Sequence, residues 1–264
     1  MEATGCTMGD IESVGIGTPG IANSREGVVE YSCNLGFSNT PLSQLVGALL
    51  HKPVYLENDA NAAALGEFVA GSGRGSDSLV AITLGTGVGG GVVMNGHLLT
   101  GFNFSGAEIG HFVMVQDGEP CTCGRKGCFE AYCSATALIR QTRRAMEQHP
   151  RSLMWQEAET LEHVSGRTAF DAMRLGDEAA TAVVDQYIRH LACGLTSIIN
   201  IFQPEVLCVG GGICNEGETL LAPVREIFNQ EDYARDCSRR TSIVRATLGN
   251  DAGIIGAALL PLYR

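Results

Sequence analysis

Apolar and polar positions in the first part of the chain follow one another as strand and helix patterns. The segment 10–22, DIESVGIGTPGIA, alternates apolar residues and ends in a Gly-Thr-Pro-Gly turn, which predicts a strand. Residues 41–50 carry leucines at helical spacing, and the strand PVYLE at 53–57 leads into an alanine-rich helix ending near 69. The glycine-rich stretch that closes 1–78 is the expected domain boundary, so this part is predicted to be a small α/β domain.

The remainder of the chain repeats the succession of buried strand, glycine turn and helix. Residues 79–85, LVAITLG, form a near-continuous apolar run that is typical of a strand in the centre of a sheet. Helices are predicted over 134–148 and 178–201. The pattern indicates a layered α/β fold with ligand loops at the strand ends. A large domain is expected over 79–249, and the closing helix 250–264 is expected to join the small domain.

Composition and charge exclude several classes of protein. The 264 residues contain 45% hydrophobic residues and 34 glycines, which suits an α/β enzyme with many loops. A net charge of −11 without a basic stripe argues against nucleic-acid binding. No apolar run approaches the length that crosses a membrane, and the first residues do not resemble a signal peptide. The low share of cysteine in a long chain favours a reducing, cytoplasmic location.

One short span of the large domain concentrates residues that bind metals. It contains one histidine and three cysteines, namely His111, Cys121, Cys123 and Cys128. Imidazole and thiolate are ligands that Zn²⁺ prefers, and a set of four predicts a closed tetrahedral site. Gly124 and Gly127 allow the loop to bend so that the sulfurs face one point. The alternative is a set of ordinary buried thiols. Two acids, Glu108 and Glu130, flank the span and are candidates for binding a polar ligand such as a sugar.

A polar run follows the predicted strand at 53–57. Asp59 lies at the transition from strand to helix, where α/β proteins direct side chains toward a ligand, and it is the first candidate for a catalytic residue. Asn58 precedes it. The alternative is that one of these two residues only caps the helix that begins near Ala60.

Two glycine-rich loops are candidates for nucleotide binding. The first, TLGTGVGGG at 83–91, offers backbone N–H groups with little side-chain cover, as a phosphate chain requires. It lacks the Lys-Ser/Thr of a Walker A motif, and a strand rather than a helix follows it. A tight turn between strands is the alternative. The second loop, Gly210–Gly212, ends a buried strand, and either a planar ligand or a helix could approach it closely.

The order of these motifs resembles that of the ROK family of sugar kinases and sugar-responsive repressors, and most of all its bacterial glucokinases. The motifs that carry the resemblance are GIGTPG, ENDANAAALGE, TLGTGVGGGVV, GAEIGH, CTCGRKGCFEAYCSAT and INIFQPEVLCVGGGI. The resemblance runs from about residue 10 to the carboxyl terminus. It implies the actin-like, ribonuclease-H-like two-domain ATPase fold with the active site in its cleft.

The resemblance also implies roles for individual residues. Asp59 is the implied general base that takes the proton of the sugar 6-hydroxyl. The implied sugar-binding residues are Asn58, Glu108, His111 and Glu130. The implied contacts to ATP are made by Gly85, Thr86 and Gly87 at the phosphates and by Gly210, Gly211 and Gly212 near the adenosine. His111, Cys121, Cys123 and Cys128 are implied to hold a structural zinc ion.

The expected activity is therefore the ATP- and Mg²⁺-dependent phosphorylation of a hexose at its 6-hydroxyl, with glucose as the first candidate. Kinases of N-acetylmannosamine, N-acetylglucosamine or fructose and the sugar-sensing domain of a ROK repressor are the alternatives. Relatives are usually homodimers or homotetramers, and the same is expected here.

The chain departs from the family pattern at its start. ROK kinases open with an Asp-x-Gly-Gly-Thr phosphate loop, and nothing similar precedes Val14. The fold is thus expected to be N-terminally truncated, and the kinase activity of this polypeptide is expected to be weak or absent. Equal turnover by this chain and by a version extended upstream would contradict that expectation.

Overall fold

The computed structural model describes residues 5–32 and 34–263, and the chain divides into two compact units. Unit 1 comprises the described residues within Met1–Ala81, Gly90–Ala107 and Ala246–Arg264. Unit 2 comprises Ile82–Gly89 and Glu108–Arg245. The division predicted from the sequence, at residue 78 with a closing helix from 250, stays a prediction. Each unit is described by itself.

Strands and helices alternate along the chain, and the α/β class expected from the sequence is confirmed. The strands are β1 (Val14–Thr18), β2 (Ile21–Asn23), β3 (Val28–Ser32), β4 (Phe37–Thr40), β5 (Val54–Asn58), β6 (Ser78–Leu84), β7 (Val88–Met94), β8 (His97–Leu98), β9 (Val206–Gly210) and β10 (Ser242–Arg245). The α-helices are α1 (Leu42–Leu50), α2 (Asp59–Ala70), α3 (Glu130–Cys133), α4 (Ala135–Gln148), α5 (Met154–Ala158), α6 (Thr168–Arg174), α7 (Glu178–Phe202), α8 (Glu218–Glu231) and α9 (Ala252–Leu259). No helix of the described residues is both long enough and apolar enough to cross a membrane.

The strands form three sheets. In the first, β1 pairs in parallel with β5, so that Thr18 lies opposite Asn58 where both strands end. The second is an antiparallel sheet of β2, β3 and β4. The third has the order β10-β9-β6-β7-β8, with β9 and β10 parallel and β7 and β8 antiparallel. Parallel strands that end side by side place their loops at one edge of a sheet, which is where α/β proteins build ligand sites.

Helices α2 and α9 of unit 1 cross at backbone contact because glycines lie at the crossing. A Cβ on Gly66 would lie 2.2 Å from the carbonyl oxygen of Ala252, and one on Gly256 would lie 1.6 Å from that of Ala62. Since these neighbours are backbone atoms, they cannot move aside as a flexible side chain could. The position of α2, and hence of its first residue Asp59, depends on this close packing.

A buried carboxylate also fastens α2 within unit 1. The side chain of Glu67 is 3% exposed and accepts hydrogen bonds from the Ser72 N–H at 2.8 Å and the Leu248 N–H at 2.7 Å. The hydroxyl groups of Ser72 and Thr247 and the Thr247 N–H donate to it as well. Burial by itself raises the pKa of Glu67, but these hydrogen bonds outweigh it and the pKa is lowered.

The core of unit 2 is organised around α7. Tyr187 is fully buried, and its hydroxyl donates a hydrogen bond of 2.7 Å to the carbonyl of Cys133. Gly194 of the same helix leaves room for the buried ring of Phe129, since a Cβ there would lie 2.1 Å from the ring. Phe129 also stacks on Phe112, with ring centroids 5.3 Å apart. The residue before Phe129 is a candidate metal ligand, so α7 supports the loop that carries the predicted cluster.

Most of the elements predicted from periodicity are confirmed, and several were missed; the strand predicted within 10–22 is two strands, β1 and β2. The strands predicted at 53–57 and 79–85 and the helices at 134–148 and 178–201 correspond to β5, β6, α4 and α7. The hairpin of β3 and β4 and the helix α8 were not predicted. Helix α8 contains Pro223, a residue that usually ends a helix, and it forms because Leu220, Leu221, Val224 and Phe228 supply a buried face.

Candidate functional site

The four predicted metal ligands come together in unit 2. The ligand atoms of His111, Cys121, Cys123 and Cys128 all lie within 4.8 Å of one another. The Cys121 Sγ is 3.6 Å from the His111 Nδ1, and the Cys123 Sγ is 3.6 Å from the Cys128 Sγ. Ligands of a tetrahedral zinc ion, with Zn–S near 2.3 Å and Zn–N near 2.0 Å, are about 3.5–3.8 Å apart. Two of the separations match these values, and the donor set fits zinc.

The three thiols differ in their acidity without a metal. Burial raises the pKa of Cys128 to about 12, and it also raises the pKa of Cys121. A hydrogen bond from the backbone N–H of Arg125 lowers the pKa of Cys123. Because zinc binds the thiolate form, a metal that enters this cluster displaces protons from Cys121 and Cys128.

Two glycines shape the loop between the cysteines, as the sequence predicted. Gly124 has φ +87° and Gly127 has φ +78°, in the left-handed region that favours glycine. A Cβ on Gly127 would lie 1.6 Å from the carbonyl oxygen of Val115, so no other residue fits there without moving the backbone. The isolated β-bridges Val113–Cys128 and Pro120–Lys126 close the loop. The bend that brings the sulfurs together is thus built into the backbone.

Glu130 links the cysteine loop to the first glycine loop. One carboxylate oxygen, Oε2, accepts a hydrogen bond of 2.9 Å from the Val88 N–H. The other, Oε1, accepts one of 3.0 Å from the Thr122 hydroxyl and a longer one of 3.6 Å from the Cys121 thiol. Gly87 fits beside this carboxylate only because it lacks a Cβ, which would lie 2.3 Å from Oε2. The Glu130 side chain is therefore held in one orientation from two sides.

Glu108 and His111 begin and end one short turn. Residues 109–111 form a 3-10 turn in which the His111 N–H donates to the Glu108 carbonyl at 3.0 Å, and the Glu108 side chain is exposed. Gly110 must be a glycine, since a Cβ there would lie 2.2 Å from the carbonyl oxygen of Val88. This contact explains the glycine of the Glu-x-Gly-His motif: it lets the turn pack directly on the start of β7.

The first glycine loop connects β6 and β7. The carbonyl of Gly85 accepts a hydrogen bond of 2.8 Å from the Ala135 N–H, and the carbonyl of Thr86 accepts one of 2.8 Å from the Thr136 hydroxyl. The start of α4 thus fixes the orientation of two peptide groups of the loop. The Gly85 N–H donates to the Gly87 carbonyl at 3.0 Å, which closes a tight turn. The predicted contacts of Gly85, Thr86 and Gly87 to phosphate stay predictions.

The second glycine loop follows β9. Gly211 has φ +92°, and a Cβ on it would lie 2.3 Å from the carbonyl oxygen of Leu84 at the end of β6. The close approach at this position is therefore made by a neighbouring strand. At Gly212 no atom lies within 4 Å of where a Cβ would be, so space is open there. The predicted proximity of Gly210, Gly211 and Gly212 to an adenosine stays a prediction.

In unit 1 the structure separates the roles of Asn58 and Asp59. The Asn58 side chain caps α2 by accepting hydrogen bonds from the N–H groups of Ala60 at 2.9 Å and Asn61 at 3.2 Å. Its amide donates to the carbonyl of Gly20 at 3.1 Å. Asp59 is exposed at the first position of the helix, and one of its carboxylate oxygens lies 2.9 Å from the Ala60 nitrogen. Of the two residues that were candidates for capping the helix, Asn58 therefore provides the cap.

Thr122 and Thr136 are residues of the site that the sequence did not single out. Thr122 lies between two cysteines and orients Glu130, whereas Thr136 orients the first glycine loop. Both lie within the motif CTCGRKGCFEAYCSAT, but the motif does not indicate which group either hydroxyl contacts, because the partner is brought close only by the folded chain.

The sheet order, the glycine turn between β6 and β7 and the Glu130 carboxylate that contacts it define an α/β protein with the actin-like ATPase fold. The chain belongs to the ROK family, whose family model matches residues 4–263. It is 44% identical over 247 residues to a glucokinase of Thermotoga maritima, an alignment that covers 93% of this chain and 77% of the relative.

Comparison with solved structures agrees with this membership. The crystal structure of a ROK family glucokinase from Streptomyces griseus in complex with glucose and AMPPNP matches with a TM-score of 0.82 and 35% identity, over 95% of this chain and 81% of that one. A xylose repressor of Caldicellulosiruptor bescii is 29% identical over 225 residues, which are 84% of this chain and 56% of the repressor. The family thus contains both enzymes and regulators.

Proposed function

We propose that this protein is a sugar kinase that transfers the γ-phosphate of ATP to the 6-hydroxyl of a hexose, with glucose as the substrate. The observation that carries the proposal is the 44% identity to a glucokinase over 93% of the chain. The structural relative with bound glucose and AMPPNP, which shares 35% identity, supports both substrates.

The hexose hydroxyls are held by four polar side chains: Asn58, Glu108, His111 and Glu130. The orientation of Glu130 supports this role, since a carboxylate offers about four acceptor positions and donors from the protein occupy only part of them. His111 directs Nδ1 toward Cys121, which leaves Nε2 for a sugar hydroxyl. Asn58 carries out this contact in addition to capping α2.

The metal implied by the cluster is a structural zinc ion. His111, Cys121, Cys123 and Cys128 would hold it, and their separations fit tetrahedral coordination. The zinc supplies a fixed point for the loop and takes no part in the chemistry. Because His111 is itself a ligand and Glu130 lies two residues after Cys128, a fixed loop orders two of the side chains that bind sugar.

We assign Asp59 as the general base of the phosphoryl transfer. The sugar oxygen O6 attacks the γ-phosphorus, the bond between that phosphorus and the oxygen bridging to the β-phosphate breaks, and Asp59 takes the O6 proton. The products are the hexose 6-phosphate and ADP. The exposure of Asp59 and the capping of α2 by Asn58 support this role, since the carboxylate is available for a substrate.

Binding of MgATP is assigned to the two glycine loops. Gly85, Thr86 and Gly87 contact the phosphates, and Gly210, Gly211 and Gly212 lie near the adenosine. The two hydrogen bonds from the start of α4 to the carbonyls of Gly85 and Thr86 support this assignment, because a preorganised loop loses little entropy on binding. The open space at Gly212 is consistent with a ligand there.

The test measures turnover and sugar binding separately. ADP and glucose 6-phosphate are quantified after incubation with MgATP and glucose, and glucose binding is measured by calorimetry. Asp59→Asn is expected to lower kcat by at least about 100-fold, as is typical for a lost general base, with little change in the Kd of glucose. Glucose that does not bind, or turnover that survives in Asp59→Asn, contradicts the proposal. A panel with N-acetylmannosamine, N-acetylglucosamine and fructose identifies the preferred sugar.

The sugar-sensing domain of a repressor is the second candidate, because the chain is 29% identical to a xylose repressor. The higher identity to glucokinase favours the kinase. ADP formation with glucose would favour the kinase, whereas sugar binding without ADP is expected both of a sensor and of a kinase whose activity is absent.

We also propose a location and an assembly for the protein. A reducing, cytoplasmic location suits the free cysteines among the described residues and the thiolates that a zinc site requires. A homodimer or homotetramer is expected from the family resemblance, and light scattering would distinguish the two.

A further inference from the structure

Unit 2 contains a cavity of about 290 Å³ that is lined by none of the residues assigned to sugar, nucleotide or zinc. Helices α4 and α7 form its walls, and the loop before Cys121 contributes one residue. Its lining includes the polar residues Glu119, Tyr132, Arg140, Arg144 and His190. The volume is at the lower end of that of ligand pockets, so the cavity suits a small molecule.

The cavity carries an excess of positive charge in an acidic protein. Arg140 and Arg144 both face a single carboxylate, that of Glu119. Two nitrogens of Arg144 donate hydrogen bonds to the Glu119 carboxylate, while the Arg140 Nε lies 3.5 Å from its Oε2. The hydrogen bond from Arg144, more than any other cause, lowers the pKa of Glu119. The lining thus holds two guanidinium groups and one carboxylate, and Glu147, which is outside the lining, also interacts with Arg144.

Two buried nitrogen atoms at the cavity lack hydrogen-bond partners among the described residues. They are the Nε of Arg140 and the Nδ1 of His190. Buried polar atoms without a partner are rare, and a bound water or ion is one explanation for them. The His190 ring is held edge-on to Tyr132 at 5.0 Å, so its position is fixed. Both atoms belong to residues that line the cavity.

From these contacts we propose that the cavity between α4 and α7 is a binding site for a small anion with a phosphate or carboxylate group. A guanidinium fork matches the geometry of both groups. The phosphate or carboxylate group of the ligand binds Arg140 and Arg144 in competition with Glu119. Ala145, Ala179, Ala182 and Val183 form an apolar part of the lining, and Gln141, Gln148, His149 and Gln186 add polar groups.

The site is connected to the cysteine loop through the backbone of Glu119. The Glu119 N–H donates to the Tyr132 hydroxyl at 2.8 Å, and the Glu119 carbonyl accepts from the Gly127 N–H at 2.8 Å. A ligand that draws Arg144 away from Glu119 therefore acts on the segment that carries the four candidate metal ligands.

The test is calorimetric titration of the full chain with inorganic phosphate and, separately, with citrate, at constant ionic strength. Arg144→Gln removes the guanidinium, and binding is expected to weaken by about tenfold. Glu119→Gln removes the competing carboxylate, and binding is expected to strengthen by a similar factor. Arg167→Gln, at an exposed arginine of unit 2 outside the cavity, is the matched control and is expected to bind as the wild type.

Opposite effects of the two variants are the signature of this site, since damage to the fold would weaken binding in both. The relative affinity of phosphate and citrate shows which group the site prefers. Saturable binding of neither probe, equal affinity in all variants, or weaker binding in Glu119→Gln overturns the proposal.

Discussion

Thr122 shows how a side chain to which its motif assigns no role can decide the geometry of the site. Its hydroxyl donates to the Oε1 of Glu130 at 3.0 Å, while the Val88 N–H fixes Oε2 at 2.9 Å. Without the hydroxyl, the carboxylate is held from one side only. Thr122 is exposed, so its loss affects the orientation of Glu130 far more than the packing of the core.

Replacing Thr122 tests this positioning role through the kinetics of the proposed kinase reaction. Thr122→Val removes the donor at nearly constant volume, and the KM of glucose is expected to rise about fivefold, which corresponds to roughly 1 kcal/mol for one hydrogen bond. The kcat is expected to change less. Thr122→Ser keeps the hydroxyl and is expected to restore the KM. Steady-state kinetics of the three proteins decide, and an unchanged KM in the valine variant argues against the role.

The cysteine loop is the element whose order we predict to depend on a metal. The loop from Val113 to Cys128 is closed by isolated bridges, and it contains three of the four candidate metal ligands. Wild-type protein purified without chelator is expected to contain about one zinc per chain, because four ligands of this type form a closed structural site. Cys121→Ser is expected to lose most of it, because a hydroxyl is a poor zinc ligand.

Metal analysis and limited proteolysis measure the two consequences independently of activity. Cleavage within 113–128 is expected to become faster in Cys121→Ser and after chelation. Cys237→Ser, at an exposed cysteine outside the cluster, is the control and is expected to keep its zinc. Wild-type protein without zinc, or full zinc content in Cys121→Ser, would contradict the assignment.

The crossing of α2 and α9 is a second element-scale feature that can be tested. In Gly66→Ala the new Cβ would lie 2.2 Å from the Ala252 carbonyl, so the helices must separate. We expect a loss of about 1–3 kcal/mol in the free energy of unfolding, typical of overpacking, even though alanine favours helix by about 1 kcal/mol.

Gly253 of α9 provides the matched control for this prediction. No atom lies within 4 Å of where its Cβ would be. Gly253→Ala is therefore expected to leave stability unchanged or raise it by up to about 1 kcal/mol. Urea denaturation of both variants gives the two values. Equal stability of Gly66→Ala and wild type would show that the crossing of α2 and α9 has room for a Cβ at position 66.

At the scale of the whole molecule, Glu67 joins distant parts of the chain and makes stability depend on pH. Thr247 and Leu248, which donate to it, lie 180 and 181 residues away in sequence. The pKa of Glu67 is lowered in the folded state. A carboxylate with a lowered folded pKa stabilises the fold above its unfolded pKa, and that stabilisation is lost as the pH falls through the folded value.

Glu67→Gln is expected to lower the free energy of unfolding at pH 7 by about 1–3 kcal/mol, since a buried acceptor of several hydrogen bonds loses its charge. The difference between variant and wild type is expected to shrink as the pH falls below the ordinary glutamate pKa of about 4.3. Urea denaturation over a series from pH 7 to about pH 3 measures it. Glu226→Gln, at an exposed position on α8, serves as the control, and a difference that does not depend on pH would contradict the argument.

The sequence by itself determined the elements and the chemical types at the site. Periodicity located most helices and strands, because it depends on neighbours a few residues apart. The spacing of His111, Cys121, Cys123 and Cys128 indicated a metal cluster for the same reason: short loops confine these residues to one region. The motif order was sufficient to place the chain in its family.

Only the tertiary structure decided which distant groups meet. It assigned the helix cap to Asn58, and it brought Glu130 to Val88 and Glu67 to Leu248. Helix α8 was missed because its stability comes from a buried face, which outweighs the local signal of Pro223. The contacts of Glu130 and Glu67 depend on how whole elements pack, and a local pattern of residues contains no information on partners that lie 42 and 181 positions away.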